Sequence, residues 1–366
     1  MGRHAAARQT RAANTRACHF NRNFQIPPRS PLMTRKTVIH LCDDETAGGV
    51  TRVLDHIKTC ELMAQDAHHE VKYIRRGTTK IGRIKADVIV SHLSVSWRTL
   101  PCHITLRALN PTVPMMHVEH SYSDGFLKHN VKRKGRFATL LRTTYALYDQ
   151  IVAVSHAQGQ WLATAGLVRP TQLAVIQSTV PYEPFRKLSA PKGAVKVFGA
   201  IGRMDRQKGF DVLIEAFKKT EDPSIELRFY GKGPEEAALQ ELAKSDSRIK
   251  FMGYWSNPSL VLSSLDAVLM PSRWEAYGLV AAEALQAKRP VLLNNVDGLK
   301  DHIENGATVV MSDDANTWSR AISKLAGRKP QLAPNTHSNR RAEDVFAASW
   351  KRAMSHLLNP PSAAQA

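Results

Sequence analysis

The chain has 366 residues, a hydrophobic content of 43% and a net charge of +19 at pH 7. This length exceeds one ordinary domain and fits two, and the composition excludes a disordered protein. No apolar run approaches the roughly 18 residues of a membrane-spanning helix. The four cysteines form no C-x-x-C pair, which argues against a disulfide framework or structural zinc and favours a reduced, cytoplasmic protein. The charge indicates a polyanionic partner: nucleic acid, anionic lipid or a phosphorylated substrate.

The first segment, residues 1–34, is predicted to be a disordered basic leader. Residues 1–36 contain seven Arg, one Lys and no acid. This composition is typical of a transit peptide, and also of translation from an upstream start, with Met33 as the true start. We favour the second interpretation and exclude the segment from the fold.

From residue 37 onward, short apolar runs alternate with helical stretches, which predicts an α/β protein with parallel sheets. The strand-like runs are 37–41, 88–93, 113–119, 150–155, 173–177, 195–202, 225–231, 249–253, 265–271 and 289–295. The proline-containing segment 181–193 predicts a boundary between two halves. The predicted segments are an N-terminal Rossmann-like domain (35–187), a C-terminal one (188–341), a last helix (342–358) after a loop at Pro330–Asn335, and a disordered tail from Asn359.

Two glycines, Gly48 and Gly49, separate the first strand from an amphipathic helix. Glycines let the backbone approach a ligand closely, and the free N–H groups at a helix N-terminus attract anions. A lone Gly-Gly pair is weak evidence for such a site.

Three histidines lie at or near the ends of predicted strands. His117 and His120 point to opposite faces if the strand alternates. His120 lies at the carboxyl end, where open α/β sheets bind ligands. We predict a functional role for His120 and a structural one for His117; for His92, both interpretations stay open.

Residues 128–148 are predicted to form a basic amphipathic helix. They contain six basic residues and no acid between 128 and 142, with an apolar stripe of Phe137, Leu140, Leu141, Tyr145 and Tyr148. Such a helix predicts binding to an anionic membrane surface. The alternative is an ordinary surface helix that packs this stripe into its domain.

In the second half, the segment 199–217 indicates a strand, a loop and a helix. Arg203 and Lys208 flank the loop, and Gly209 precedes the helix. Two cations beside a helix N-terminus predict an anion site, with a solvated loop as the alternative. The strand that ends at Gly231 repeats this design. Taken alone it indicates a structural turn, but its position fits the wall of a nucleotide pocket.

The strongest signal is the segment 270–295, which indicates a strand, a polar turn and a helix that starts near Tyr277–Gly278. Glu275 precedes the helix, and Glu283 lies two turns inside it on an apolar stretch. A buried carboxylate is costly without partners, and the hydroxyls of a ribose and a sugar are suitable ones. The alternative is a surface pair of Glu275 with Arg273 and an internal salt bridge for Glu283.

These segments resemble the motifs of family 4 glycosyltransferases with the GT-B fold. P-S-R-W-E-A-Y-G-L-V-A-A-E-A-L is similar to the family's P-S-x-x-E-x-x-G-[LI]-x-x-x-E-A, and G-R-M-D-R-Q-K-G-F-D-V-L-I-E-A-F is similar to G-R-L-x-x-x-K-G-x-x-x-L-I-x-A-F. Residues 296–306 resemble x-G-x-x-E-x-[IV]-x-x-G. The departures are Lys288 in place of a glycine, no later glycine at Ala307–Val309, and 175–185 in place of an N-G-V-D run.

The resemblance implies two Rossmann-like domains that face each other across a cleft, with the last helix crossing back to the first domain. It implies retaining transfer of a hexose from a UDP- or GDP-sugar co-substrate to a lipid-linked or saccharide acceptor. The expected setting is synthesis of bacterial envelope polysaccharide or glycolipid at the inner face of the plasma membrane. No D-x-D motif appears, so we expect neither a catalytic metal nor a bound cofactor.

The resemblance also implies roles for individual residues. Arg203 and Lys208 would bind the donor diphosphate, Glu283 the ribose, and Glu275 and His120 the donor sugar. The remaining positions expected at the donor are Gly48, Gly49, Gly231, Tyr277, Gly278 and Leu279, with Ser155 near the cleft.

Three rival functions remain open at this point. A nucleic-acid-binding protein fits the charge, but no recognised nucleic-acid motif appears and we expect no such partner. A non-catalytic GT-B protein that binds a nucleotide sugar is the second rival. The third is a phosphorolytic or sugar-phosphate synthase variant that uses a soluble acceptor.

Overall fold

The computed structural model describes residues 35–329 and 341–359. The predicted leader, the loop at Pro330–Asn335 and the tail beyond Asn359 lie outside these residues. All elements named below belong to one compact unit of the chain.

The first half is built on a six-stranded parallel sheet in the order β2-β1-β3-β4-β5-β6. Its strands are β1 (Lys36–Cys42), β2 (Ala67–Tyr73), β3 (Val88–His92), β4 (Met115–Glu119), β5 (Gln150–Ala153) and β6 (Leu173–Val175). Between them lie α1 (Gly49–Thr59), α2 (Glu61–Asp66), α3 (Leu100–Leu109), α4 (Asp124–Asn130), α5 (Lys134–Tyr145) and α6 (His156–Thr164).

The second half is built on another six-stranded parallel sheet, in the order β12-β11-β10-β7-β8-β9. Its strands are β7 (Val197–Ile201), β8 (Glu226–Tyr230), β9 (Ile249–Gly253), β10 (Ala267–Met270), β11 (Val291–Asn294) and β12 (Thr308–Val310). The remaining helices are α7 (Glu183–Arg186), α8 (Phe210–Lys218), α9 (Glu236–Ala243), α10 (Pro258–Ser263), α11 (Leu279–Gln286), α12 (Ala315–Leu325) and α13 (Ala342–Leu358).

Apolar side chains cover both faces of each sheet, which explains the near-continuous apolar runs in the central strands. One hydrophobic cluster contains residues of both halves, from Val38 and Val90 to Val268 and Met270. The two sheets therefore share part of their core at the junction.

All the strands predicted from apolar runs are present, and the prediction missed β2 and β12. Both are edge strands. β2 alternates buried and exposed side chains in the sequence AHHEVKY, and β12 has three residues. The criterion missed β2 because polar residues interrupt its apolar ones, and it missed β12 because three residues are too few to form a run.

The last helix, α13, packs on the first half and on the segment that joins the halves. Lys351 Nζ donates to Asp66 Oδ1 at 2.6 Å, which ties α13 to α2. At its other end, Glu343 accepts from Arg186 Nη2 at 2.7 Å and from the backbone N–H of Tyr182 at 3.0 Å. These contacts connect α13 to the linker around α7.

The single amphipathic helix predicted over 128–148 is wrong. The chain forms α4 and then α5, and Arg133 separates them as the residue before α5. Leu140, Leu141, Tyr145 and Tyr148 are buried in the core of the first half. The apolar stripe is thus unavailable to a bilayer, and only the basic face stays exposed. Among the described residues, no helix is long and apolar enough to cross a membrane.

Candidate functional site

At the carboxyl edge of the second sheet, a lysine and a glutamate form a close pair. Lys208 follows β7, Glu275 follows β10, and Lys208 Nζ donates to Glu275 Oε2 at 2.6 Å. Both side chains are mostly buried, with 16% and 14% exposed. Gly209 makes this approach feasible: its φ is +66°, and a Cβ there would lie 2.3 Å from the carbonyl oxygen of Pro271. The structure thus brings together two predicted site residues that lie 67 positions apart.

Two further glycines let the loops of the second sheet pack tightly. Gly231 has a φ of +140°, and a Cβ there would lie 1.9 Å from the carbonyl oxygen of Gly202. A Cβ on Gly202 would in turn lie 3.0 Å from Lys208 Cε. Gly231 therefore has a packing reason for being glycine, and its contact with a ligand stays a prediction.

Arg203 lies at the rim of this site. Its side chain is 73% exposed, and its Nε lies 3.2 Å from Asp205 Oδ2. It is the most accessible of the four charged side chains predicted to form the site.

Glu283 is buried where the two halves meet. Its side chain is 2% exposed on α11, and Nη1 of Arg52, from α1 of the other half, lies 2.6 Å from its Oε1. Arg52 thus gives the carboxylate an ion-pair partner, although Oε1 has no hydrogen bond that meets the usual criteria among the described residues. Burial raises the pKa of the Glu283 carboxyl, and Arg52 opposes this rise. Arg52 was not predicted.

Tyr182, in the linker before α7, is a second buried group without a partner. Its hydroxyl makes no hydrogen bond within the described residues. Burial raises the pKa of Tyr182 well above its usual value, and the neighbouring Tyr277 and Glu283 raise it further. The Tyr182 hydroxyl and Oε1 of Glu283 are thus two buried polar atoms that have hydrogen-bonding capacity left over.

The start of α11 faces the start of α1. Gly278, with a φ of +90°, precedes α11 and provides no side-chain cap for the first-turn N–H groups. A Cβ on Gly49 would lie 3.2 Å from Leu279 Cδ1, so the predicted Gly48–Gly49 turn reaches the predicted Tyr277–Leu279 turn from the other half. We call this junction, with Lys208, Glu275 and Glu283 around it, the cleft.

Four histidines, which we call the histidine row, cross the first sheet toward the cleft. They are His69 on β2, His40 on β1, His92 on β3 and His120 after β4. Each stands two residues closer to the carboxyl edge than its neighbour on the adjacent strand, so all four share one face. The N···N distances are 2.9 Å from His69 to His40, 2.9 Å from His40 to His92 and 2.8 Å from His92 to His120.

Burial holds the histidine row in the neutral form. It lowers the pKa of His69 and of His120 to about 4, and lowers the pKa of His40 and His92 well below the usual value. Each neutral ring has one N–H and one lone pair, so each can donate once and accept once. Of these four histidines, the sequence analysis considered only His92 and His120. A histidine on or just after each of four adjacent strands is the pattern that could have indicated the row.

His117 and Ser155 have structural environments. His117 lies on the opposite face from the histidine row, with Nδ1 3.2 Å from Ser91 Oγ. Ser155 caps α6 by accepting from the backbone N–H of Gln158 at 3.1 Å.

Asp297 joins the two halves, and sequence reasoning gave it no role. Its carboxylate accepts from Ser123 Oγ at 2.7 Å and from the backbone N–H of Gly125 at 2.9 Å, both in the first half. It also accepts from the backbone N–H of Glu275 at 3.2 Å. The residue is 9% exposed and has a φ of +38°. One carboxylate thus positions the Glu275 loop against α4.

Asp301, four residues later, makes a second connection of the same kind. It accepts from the backbone N–H groups of His156 at 2.7 Å and Ala157 at 3.2 Å, at the start of α6. Gln177 Nε2 donates to it at 2.8 Å. A carboxylate at a helix N-terminus is stabilised by the free N–H groups and the helix dipole.

Lys288 adopts the conformation that a glycine would adopt with least strain. Its φ is +60°, which is uncommon for a residue with a side chain. Its Nζ donates to the carbonyl oxygens of Arg186 at 2.9 Å and Leu188 at 2.8 Å. These bonds offset the strain and attach α11 to the linker.

The segment that carries Lys208, Glu275 and Glu283 matches a family model. Residues 195–328 match the model described as glycosyl transferases group 1. This segment belongs to that family. Named relatives agree with the match. D-inositol 3-phosphate glycosyltransferase of Mycolicibacterium smegmatis is 30% identical over 181 residues, 44% of this chain and 41% of that enzyme.

A longer match covers both halves. An uncharacterized 41.2 kDa protein in the cps region of Klebsiella pneumoniae is 26% identical over 247 residues, 63% of this chain and 67% of that protein. The chain thus spans about two thirds of that relative, but less than half the length of the inositol phosphate enzyme of M. smegmatis.

Solved structures are similar in fold to nearly the whole chain. HepE of Anabaena, in complex with UDP and glucose, has a TM-score of 0.64 at 16% identity and covers 89% of this chain and 100% of its own. Sucrose-phosphate synthase of Thermosynechococcus elongatus has a TM-score of 0.63 at 17% identity and covers 88% and 95%. The expected GT-B fold, with two parallel α/β sheets, is confirmed.

The buried histidines predict acid sensitivity. His69, His103 and His120 have a folded-state pKa of about 4, below the roughly 6.5 of an unfolded chain. The unfolded state therefore binds more protons between those values, and stability falls as pH drops from about 6.5 to about 4. Each such histidine contributes a slope of up to about 1.4 kcal/mol per pH unit.

Urea unfolding at several pH values between 7 and 5 measures this slope. We expect His103→Phe to reduce the number of protons that the protein takes up on unfolding by about one, and the slope to fall accordingly. A free energy of unfolding that stays flat between pH 7 and pH 5 would contradict the prediction.

Loss of Asp297 should destabilise the junction. Asp297→Ala leaves three donors without their acceptor, and we expect a loss of about 2–4 kcal/mol in the free energy of unfolding. Asp297→Asn keeps one of the two acceptor oxygens and should lose less. Asp313→Ala, at an exposed position, is the control and should change stability by less than about 0.5 kcal/mol. Equal effects of Asp297→Ala and Asp313→Ala in denaturant titrations would refute the role of Asp297.

Proposed function

We propose that the protein is a retaining, metal-independent glycosyltransferase of family 4 that transfers a hexose from a UDP- or GDP-sugar. The observation that carries the proposal is the buried Glu283 carboxylate, whose Oε1 lacks a hydrogen-bond donor at the junction of the halves. A buried carboxylate is costly unless its hydrogen bonds are filled, and ribose hydroxyls would fill those that the ion pair with Arg52 leaves open. The neighbouring Tyr182 hydroxyl, also unsatisfied, would bind the same part of the nucleotide.

The diphosphate of the donor would lie between Lys208 and the glycine turns. Lys208 supplies a point charge, Arg203 a planar fork from the rim, and the Gly48–Gly49 turn and the first-turn N–H groups of α11 supply backbone donors. Gly231 would form the wall behind the phosphates. In the present structure Lys208 is neutralised by Glu275, so an arriving diphosphate would take over Lys208 and release Glu275 toward the sugar hydroxyls.

The similar proteins support a nucleotide-sugar donor. HepE of Anabaena was solved with UDP and glucose, and TarM of Staphylococcus aureus with UDP and a GlcNAc-glycerol compound. The relative from M. smegmatis is named a D-inositol 3-phosphate glycosyltransferase.

The proposed reaction breaks the bond between the sugar C1 and the diphosphate oxygen. The acceptor oxygen forms its bond to C1 on the same face, and its proton passes to the departing phosphate oxygen. Negative charge grows on the diphosphate in this step, and Lys208, Arg203 and the backbone N–H groups stabilise it where water is excluded. His120 and Glu275 would hold the sugar hydroxyls.

The acceptor would approach the basic face of the first half. Lys132, Arg133, Lys134 and Arg136 are exposed and form no ion pair with the described residues. A cavity of about 320 Å³ next to them is lined by Trp97, Phe126, Phe137 and three of these cations. We propose that this face meets an anionic, lipid-linked acceptor at the inner surface of the plasma membrane, in envelope polysaccharide or glycolipid synthesis. The contact would be mainly electrostatic, since four of the five residues of the apolar stripe are buried.

Substitution of the charged site residues should abolish transfer without unfolding the protein. Lys208→Ala removes the diphosphate cation and Glu283→Ala the ribose acceptor, so both should lower transfer by more than about a hundredfold. The exposed pair Glu241 and Lys244 provides the matched controls Glu241→Ala and Lys244→Ala, which should keep near-wild-type rates.

A thermal-shift panel of UDP-glucose, UDP-galactose, UDP-N-acetylglucosamine and GDP-mannose identifies the donor before the rates are measured. A ligand that binds only the folded state raises its stability, by about 2.7 kcal/mol at a hundredfold excess over Kd. Binding without transfer would favour a non-catalytic protein. Salt-sensitive DNA binding without nucleotide-sugar binding would favour the nucleic-acid alternative. Near-wild-type turnover in both site variants would refute the assignment.

Removal of the basic face should weaken vesicle binding. Four Gln substitutions, at Lys132, Arg133, Lys134 and Arg136, should lower affinity for phosphatidylglycerol vesicles more than about tenfold, since each cation contributes about 1 kcal/mol near an anionic surface. The control carries four Gln substitutions at the exposed residues Lys219, Lys244, Lys250 and Lys324, with the same change in net charge. Vesicle binding is measured by co-sedimentation. An equal loss of binding in both variants would show that only the net charge matters and would contradict a specific role of the basic face.

A further inference from the structure

We propose that His69, His40 and His92 fix the tautomer of His120, so that His120 presents its Nδ1–H to the cleft as a hydrogen-bond donor. The inference deepens the proposed function, because it specifies what His120 would offer to a donor-sugar or phosphate oxygen. The three inner histidines would be positioning residues that act through His120.

The contacts within the histidine row all have the same direction. Nε2 of His120 meets Nδ1 of His92, Nε2 of His92 meets Nδ1 of His40, and Nε2 of His40 meets Nδ1 of His69. Two nitrogens remain at the ends, Nδ1 of His120 and Nε2 of His69. His120 is partly exposed at the carboxyl edge of the sheet, the edge from which the Gly48–Gly49 turn also leaves, whereas Nε2 of His69 is enclosed.

Only two proton arrangements keep all three hydrogen bonds. Four neutral rings carry four N–H groups, of which three fill the contacts and the fourth lies at one end. Either every ring is protonated on Nδ1, or every ring is protonated on Nε2. A mixed arrangement would place two N–H groups or two lone pairs against each other in a buried contact, which loses at least one bond.

The enclosed end selects between these two arrangements. Nε2 of His69 has no partner among the described residues, and neither has the buried indole N–H of Trp350. Trp350 packs edge-on against His40 at 5.7 Å, and an indole can only donate. Protonation of His69 on Nε2 would therefore leave two unpaired buried donors on this side of the sheet. Protonation on Nδ1 leaves a lone pair, not a second N–H, at this end, and an orphaned buried N–H is the rarer and costlier of the two, so this arrangement is favoured.

This tautomer determines which hydrogen bonds His120 can make. With its proton on Nδ1, His120 can donate to a ligand oxygen and cannot accept a proton at that atom. The Nε2 lone pair is already occupied by His92. His120 thus acts as a fixed donor, not as a general base, and its polarity is set three strands away at His69.

Long-range ¹H–¹⁵N NMR of the full chain, labelled on the histidine rings and without any ligand, tests the inference directly. Protonated and unprotonated ring nitrogens have separate ¹⁵N shifts, and loss of one spin system in His120→Asn assigns that ring. We expect His120 to be protonated on Nδ1, the opposite of the tautomer that free histidine prefers in water. Protonation of His120 on Nε2, or an averaged tautomer, would overturn the inference.

A matched pair of variants at the enclosed end tests control from a distance. In His69→Asp, the carboxylate can only accept, so His40 must donate from Nε2, and His120 should change to the Nε2–H form. In His69→Asn, the amide can donate to His40, and His120 should stay protonated on Nδ1. If His120 stays protonated on Nδ1 in a folded His69→Asp protein, the row does not transmit the tautomer of His69 to His120. If His69→Asp does not fold, the wild-type spectrum still decides.

These outcomes are independent of catalysis. The tautomer is read without a nucleotide sugar, so it can be correct in a protein that transfers nothing. Conversely, a transferase with averaged His120 tautomers would keep the proposed function and lose this inference.

Discussion

Two carboxylates on one loop hold the halves of this protein in a defined relation. Asp297 and Asp301 belong to the second half, yet most of their hydrogen bonds go to the first, at the starts of α4 and α6. The same Asp297 carboxylate also accepts from the backbone of Glu275. Because the anchor and the site share one residue, movement between the halves and placement of Glu275 are mechanically coupled.

Both glutamates of the cleft have a cationic partner. Lys208 is paired with Glu275 inside one half, whereas Arg52 approaches Glu283 from the other half. The first pair has hydrogen-bond geometry, and the second leaves Oε1 of Glu283 without a donor. Glu283 therefore depends on a charge from the other half, whereas Glu275 has its cation in its own half.

Local pattern predicted the central strands, the parallel sheets and the order of Lys208, Glu275 and Glu283, because buried strands and strand-to-helix turns have short-range signatures. It could not predict Arg52, Tyr182 or Asp297. Their importance arises from contacts between the halves, over separations such as 174 residues for Ser123 and Asp297. The basic helix at 128–148 was misread for a related reason: periodicity shows an apolar stripe but not what covers it. His40 and His69 were overlooked because they matter only together, across strands.

The histidine row also determines where the first sheet can tolerate inserted or deleted residues. Each ring reaches its neighbour only if its strand keeps both its register and its parity, because a shift of one residue turns every side chain of a strand to the opposite face. Insertions in the loops between β1, β2, β3 and β4 preserve the row, whereas a single inserted or deleted residue inside any of these strands removes a ring from it. The hydrogen bonds of the histidine row therefore form only when all four strands pair in the correct register. Their presence is a sensitive marker of correct strand pairing during folding.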